Sequence, residues 1–256
     1  RCDVLDGFPK KDPTSTRFKN VVAAWGFDNP DDHTAIDSYD DYIFSLENTE
    51  PSVFHIIDSA RISCFSKAND NLLMWSHYAD GLRGFCIEFD HSLVLSNNPA
   101  TAQIYEVLYS DTPSVIDTAI LAVLNDQVDF HGDAIYAAEQ EMNHLGRNKE
   151  SEIQFFEEHL KEVFKKNNDI YQKMLATKPK EWSYEEEIRI ISQAKTQGVL
   201  AEFLKYPPES IKGVIIGEKM PKQHREALDK VLERHPSSVT LKFAEREKGK
   251  FNVVVS

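Results

Sequence analysis

The chain has 256 residues, 41% hydrophobic and 28% charged, which suits one or two globular domains able to fold without disulfide or metal staples. With 29 basic against 42 acidic residues the net charge is -13, which argues against wholesale binding to DNA or an anionic membrane, because attraction to phosphate needs clustered Lys and Arg. No apolar run reaches the ~20 residues of a membrane span, and nothing reads as a signal peptide; the first residue, Arg1, is expected to lie inside a longer chain.

Residues 1–54 are rich in Asp, Asn, Pro and Thr and show little periodicity, with Ser38 to Glu47 as the best helical candidate. Arg61 to Ser66 alternates as a strand does. Asp70 is a candidate N-cap for a short helix from Asn71 to Ala79, which ends before Gly81. Gly84 to Asp90 is the next strand, with Phe85, Ile87 and Phe89 on one face and Cys86, Glu88 and Asp90 on the other. Gln103 to Tyr109 reads as a strand, Val115 to Val128 as a helix, and 133–148 as a second helix with loose ends. The strongest helix runs from Ser151 to Ala176, where Ile153, Phe156, Leu160, Val163, Phe164, Tyr171 and Leu175 form an apolar stripe expected to be core. Lys178-Pro179 stops it.

Beyond Trp182 strands dominate: Glu185 to Ser192, Gly198 to Leu204 and Ile211 to Gly217, followed by a helix from Lys222 to Glu233 and the strands Val239 to Ala244 and Phe251 to Val255. This order predicts one α+β domain over 1–256, its β-structure mixed or antiparallel, with helices of about 111–177 inserted between two groups of strands. The strands holding Cys64, Ile87, Ile188 and Ile215 are expected to form one connected β-structure. Three cysteines, Cys2, Cys64 and Cys86, have no CxxC or Cys/His spacing. A disulfide framework and a zinc site are therefore disfavoured, no metal is expected, and a reducing cytoplasm is the expected location. Cys64 and Cys86 read as small buried hydrophobes.

Two segments concentrate the chemistry. In the helix 71–79, Trp75, Ser76, His77 and Tyr78 crowd together; a satisfied hydrogen bond at the helix end is the commoner role for a histidine such as His77, and general acid or base work is the sharper one. In Lys180 to Arg189, a strand would set Glu185, Glu187 and Arg189 on one face and Glu186, Ile188 and Ile190 on the other, with Trp182 and Tyr184 just upstream. Two carboxylates and a guanidinium in a row can orient a ribose hydroxyl or stabilise a cationic transition state. The alternative is a solvated strand face with an ion pair of little consequence, and the spacing leaves the two open.

The stretches SCFS, DNLLMWSHYADGLRGFCIEFD, KPKEWSYEEEIRII and IKGVIIG occur in that order over residues 55–256. They resemble a widespread bacterial family catalogued as a domain of unknown function, with an LMWSHYA motif and a later W-x-Y-E-x-E-x-R motif. Members of that family begin with a strand containing Tyr-x-Tyr-Arg, then stretches like Leu-Tyr-Phe-Ser and Phe-Asn-Asp-Pro-Phe. None of these is present, so the N-terminal part of the family domain is expected to precede residue 1. The motif order is similar, by fold-level analogy, to that of ADP-ribosyltransferases. That likeness implies an NAD-consuming enzyme of the toxin or phage-defence kind. Glu187, or Glu185 in the Glu-x-Glu pair, would be the late catalytic glutamate with His77 beside them, and Trp75, Tyr78, Tyr184 and Arg189 would contact the nucleotide. It further implies a protein or nucleic-acid acceptor, an antitoxin or immunity partner, and no membrane. The first two motif positions of such a site are absent from this chain. The competing readings are a hydrolase or nuclease using His77, Glu88 and Glu187, and a non-catalytic ligand- or protein-binding module.

Overall fold

The computed structural model describes residues 2–27, 29, 31–46, 52–96, 102–193 and 206–256. In chain order the first elements are β1 (Asp3–Leu5), α1 (Thr16–Ala24), α2 (His33–Leu46), α3 (Val53–Ser59), β2 (Ala60–Ser66) and α4 (Leu72–Tyr78). Next come β3 (Phe85–Phe89), α5 (His91–Ser96), β4 (Ala102–Glu106), β5 (Leu108–Ser110), β6 (Val115–Asp117), α6 (Thr118–Leu145) and α7 (Glu150–Leu175). The chain closes with β7 (Thr177–Pro179), a 3-10 turn (Lys180–Glu185), β8 (Glu187–Gln193), β9 (Ile211–Gly217), α8 (Lys222–Glu233), β10 (Thr240–Arg246) and β11 (Val253–Val255). The fold is α+β, as its element order implied. The strand expected from Gly198 to Leu204 lies outside the described residues.

The described residues group into two compact units, 1–58 with 112–177, and 59–111 with 178–256. The helical segment read as an insertion thus shares a unit with the N-terminal residues. In this first unit β1 and β6 run parallel, Asp3 opposite Val115 and Leu5 opposite Asp117. Asp117 caps α6 by accepting from the Ala119 amide, while its carboxylate also takes two hydrogen bonds from Arg17 at 2.7 and 2.9 Å. Where two helices were expected, α6 is one rod from Thr118 to Leu145. No proline interrupts it, and the ~1 kcal/mol that Gly132 costs a helix is small against packing along α7. Gly146, at φ 64°, ends the rod in the left-handed conformation that a C-terminal glycine supplies. Phe18, Val21 and Val22 of α1, Tyr39 and Ile43 of α2, Ala119, Val123 and Leu124 of α6 and Val163 of α7 form the core. The α7 stripe is less buried than its periodicity suggested, since Phe164 is 52% exposed.

The second unit holds two larger sheets rather than one connected β-structure. In the first, β2 and β4 flank β8 antiparallel, with Cys64 and Tyr105 both opposite Arg189. In the second, the order β11-β10-β9-β3 places Ile215 next to Cys86, β10 parallel to β9 and the outer pairs antiparallel. Cys64 and Ile188 therefore sit in one sheet, Ile87 and Ile215 in the other. Apolar contact joins them: Phe65, Ile104 and Ile190 of the first sheet meet Phe89 of β3 and Val94 of α5. On the second sheet α4 packs through Trp75, with Ala79 and Leu82, onto Ile215, Ala244 and Val253. The turn after α4 is tight, with Asp80, Gly81 and Leu82 all at positive φ. Leu82 is nonetheless buried in that core, and its carbonyl lies so close over Gly217 that a Cβ there would meet it at 2.2 Å.

Candidate functional site

The second unit contains a cavity of about 860 Å³. Its walls come from β2 (Cys64, Phe65, Ser66), β3 (Cys86 to Phe89), β8 (Glu187, Ile188, Ile190) and α4 (Met74, Tyr78), together with Lys178 and Glu185. The two chemically dense segments meet here through named bonds. Asn71 caps α4 by accepting from the Leu73 amide, and its side-chain amide donates to the Tyr184 carbonyl at 2.8 Å. Tyr78, at the other end of α4, donates its hydroxyl to Glu185 Oε1 at 2.6 Å. Ser66 at the end of β2 donates to the Glu185 carbonyl at 2.7 Å. The helix, the 3-10 turn and β2 thus hold one another in register.

Glu185 is not on a strand. It ends the 3-10 turn, Glu186 takes a left-handed φ of 44°, and β8 starts at Glu187. This local break corrects the expected strand from Glu185, and it lets both carboxylates reach one cation. Lys178 Nζ lies 2.5 Å from Glu185 Oε2 and 2.6 Å from Glu187 Oε2. Arg189 Nε lies 2.8 Å from Glu187 Oε1, as two residues on one strand face allow. The Glu187 amide donates to the Tyr109 hydroxyl at 2.8 Å. The glutamate side chains are 3% and 4% exposed, so two anions are buried against two cations.

Ionisation follows from these contacts. Burial pushes the Glu187 carboxyl upward, but hydrogen bonds from Arg189, Cys64 and Lys178 outweigh it and hold its pKa at about 2. Burial likewise opposes the charge on Lys178, and its two carboxylate partners raise its pKa to about 12. The bond to Glu185 keeps the Tyr78 phenol protonated, with a pKa of about 12. Burial and the neighbouring Glu187 carboxylate raise the Cys64 thiol to about 11, so it stays a thiol that donates to Glu187. At neutral pH Glu187 and Lys178 are therefore charged, with a neutral hydroxyl and a neutral thiol on the cluster's rim.

Of the residues singled out from the sequence, Glu185, Glu187, Arg189 and Tyr78 come together. His77 is exposed, does not line the cavity, and leans on Tyr184 with ring centroids 6.3 Å apart. Trp75 is 3% exposed in the core, its indole donating to the Asn69 carbonyl at 2.7 Å. Tyr184 offers its carbonyl to Asn71 and its ring to Trp182. Both cysteines line the cavity; Cys64 is exposed rather than buried, whereas Cys86 is half-buried and packs against the core of Trp75 and Ile215. Lys178 was missed; Lys178-Pro179 was legible only as a helix stop, although it begins the same run that ends at Arg189. Glu88 lines the same cavity as Glu187. Among the described residues no three His, Cys, Asp or Glu side chains are placed to hold a metal ion. No described helix is long and apolar enough to cross a membrane.

These features define an α+β protein whose second unit carries a cavity with a buried carboxylate–ammonium cluster at its wall. Over residues 74–190 the chain is similar to a family described as "Protein of unknown function (DUF2971)", a stretch that runs from Met74 in α4 to Ile190 in β8 and includes Lys178, Glu185, Glu187 and Arg189. No curated protein and no solved structure matches the chain.

Proposed function

We propose that the cavity binds a nucleotide-type small molecule and that the Glu185–Lys178–Glu187 cluster acts on its N-glycosidic bond, in the manner of an ADP-ribosyltransferase with NAD as substrate. The observation that carries this reading is an ionised Glu187 set in a cavity wall with an aromatic and apolar lining. The volume of about 860 Å³ lies within the ~300–1,000 Å³ typical of small-molecule sites. Phe65 and Phe89, edge to face at 5.5 Å, and Ile87 and Met74 supply flat apolar surface for a base.

In this reading the bond between the ribose C1′ and the nicotinamide nitrogen breaks, and its electron pair leaves with nicotinamide. Glu187, bonded to a ribose hydroxyl, favours the positive charge that grows on the ribose. The acceptor's nucleophile bonds to C1′ and yields its proton to Glu185. Lys178 holds both carboxylates, so it must turn toward another anion before either can act, and the pyrophosphate of a dinucleotide is one. Arg189 stays on Glu187 and keeps it ionised.

The test is to incubate the chain with NAD and to follow nicotinamide release and label transfer to protein or nucleic acid. Glu187→Gln should lower the rate roughly 100- to 1,000-fold, the usual loss for a key electrostatic contact of ~3–4 kcal/mol. Tyr78→Phe touches an exposed ring and should leave the fold intact while lowering activity. Glu186→Gln, an exposed residue outside the cavity, is the control. Equal activity of folded wild type and Glu187→Gln would remove this reading. A second reading, a binding site without chemistry, draws on the complete charge balance of the buried cluster; in it NAD or another nucleotide binds and is never cleaved.

A further inference from the structure

Three carboxylates line the cavity, and they differ in access. Glu185 and Glu187 are 3% and 4% exposed, whereas the Glu88 side chain is 23% exposed. Glu88 owes its place to a missing side chain. It stands on β3 directly opposite Gly213 of β9, and a Cβ on Gly213 would lie 2.3 Å from Glu88 Oε2. Gly213 therefore opens a window in the central strand. Through it the Glu88 carboxylate reaches across β9 to Lys242 on β10, whose Nζ lies 2.9 Å from Oε1 and 2.8 Å from Oε2. Asn69, from the loop before α4, donates to Oε1 at 3.0 Å.

A carboxylate offers about four acceptor positions. Among the described residues Asn69 and Lys242 occupy three of them, and Oε2 meets Lys242 alone. The result is a fixed, partly exposed anion in the cavity wall, with one acceptor position left and the Lys242 ammonium bound to it.

We propose that Glu88, positioned by Gly213 and Asn69, accepts a hydroxyl of a ribose-type vicinal diol at the cavity wall formed by β3, in the sheet that does not hold Glu187. Resting on the nucleotide reading above, this assigns Glu88 to the adenosine ribose of a dinucleotide, with the reacting ribose at Glu187. A carboxylate in that role hydrogen-bonds the free diol and repels a phosphate ester on it. The site is thus selective for NAD over NADP. Removing the Glu88 charge leaves the Lys242 ammonium beside the same position, which then favours the phosphate.

The test is calorimetric binding of NAD, NADP, adenosine and 2′,3′-dideoxyadenosine to the full chain. Wild type should bind NAD about tenfold or more tighter than NADP, and adenosine tighter than the dideoxy analogue, as charge-assisted hydrogen bonds imply. Glu88→Gln should weaken NAD by about tenfold and abolish or invert the preference over NADP. Gly213→Ala keeps the charge but displaces the carboxylate, and should lower both preferences; it carries the same test should Glu88→Gln fail to fold. Folded variants that bind all four probes as wild type does would overturn the assignment, as would a wild type that binds none of them. Nicotinamide release with a KM for NAD indifferent to Glu88 would sink the diol subsite and leave the catalytic reading standing. Glu88-dependent binding with no release would do the reverse.

Discussion

In the first unit the packed interior is apolar: Phe18, Tyr39, Leu121 and Leu124 are at most 2% exposed, and the buried polar residues are Thr118 and His131 among those described. In the second unit two glutamates are about as buried as Ile190 and Ile191, and a lysine and an arginine are drawn in to meet them. Burying ion pairs seldom adds net stability over apolar packing of the same volume, because desolvation cancels most of the attraction. Such a cluster beside a cavity is therefore a functional-site candidate rather than a stability device. The contrast teaches where to look for function, and also how differently the two units should fail.

The largest expected effect comes from breaking the charge balance. Lys178→Met would leave Glu185 without its cation and Glu187 with Arg189 only. Stability should fall by ~3–5 kcal/mol, read as a lower denaturation midpoint. Replacing Lys178, Glu185 and Glu187 together by Met, Leu and Leu should restore much of that loss while leaving no activity. A triple variant no more stable than Lys178→Met would mean that the cluster stabilises the fold outright.

A smaller loss, also confined to the second unit, is expected from Gly217→Ala. The new methyl meets the Leu82 carbonyl at 2.2 Å, and backbone cannot turn aside as a side chain can. About 1–3 kcal/mol is the usual cost of such overpacking. Gly213→Ala presses instead on the tip of Glu88 and should cost less. Thermal denaturation of the two variants would rank them, and the reverse order would contradict the packing described here.

The smallest effect separates the units by pH. Burial, and then the neighbouring His159, hold His131 below its ordinary value of 6.5. The unfolded chain then binds the proton more readily, so this contribution is complete above about pH 6.5 and is lost as pH falls through the folded value. Glu187 is depressed from 4.5 to about 2, so its contribution is complete above about pH 4.5 and is lost between there and about pH 2. Hydrogen exchange corrected for intrinsic rates should show α6 and α7 loosening at a higher pH than β8. His131→Leu should remove the difference. Simultaneous loosening in wild type would show that other groups govern both units.

Much of the framework was legible because it rests on local rules. The bounds of β9 and α8 follow from an apolar run that closes on a glycine, and from a helical stretch opened by Pro221. The place of α4 was legible, but its cap is Asn71 rather than the expected Asp70, because the Asn71 side chain is the one that accepts from the Leu73 and Met74 amides. The site was half legible: spacing along one strand paired Glu187 with Arg189. It could not show that Glu186 turns left-handed, which takes Glu185 off the strand and swings it to Tyr78 and Lys178.

What the sequence determined by itself was the α+β class, the places of α2, α4, α7 and α8 and most strands, and the two segments where charge and aromatic residues crowd. These depend on periodicity, caps and breakers acting over a few residues. Tertiary structure decided the rest: that the strands divide into two sheets, that Lys178 belongs to the glutamates, that His77 stays outside, and that Gly213 opens a path for Glu88. Strand pairing and ion pairing join residues up to 154 positions apart, as Glu88 and Lys242 are. Their partners are chosen by which arrangement buries the apolar faces and still neutralises every buried charge, a condition no local window contains.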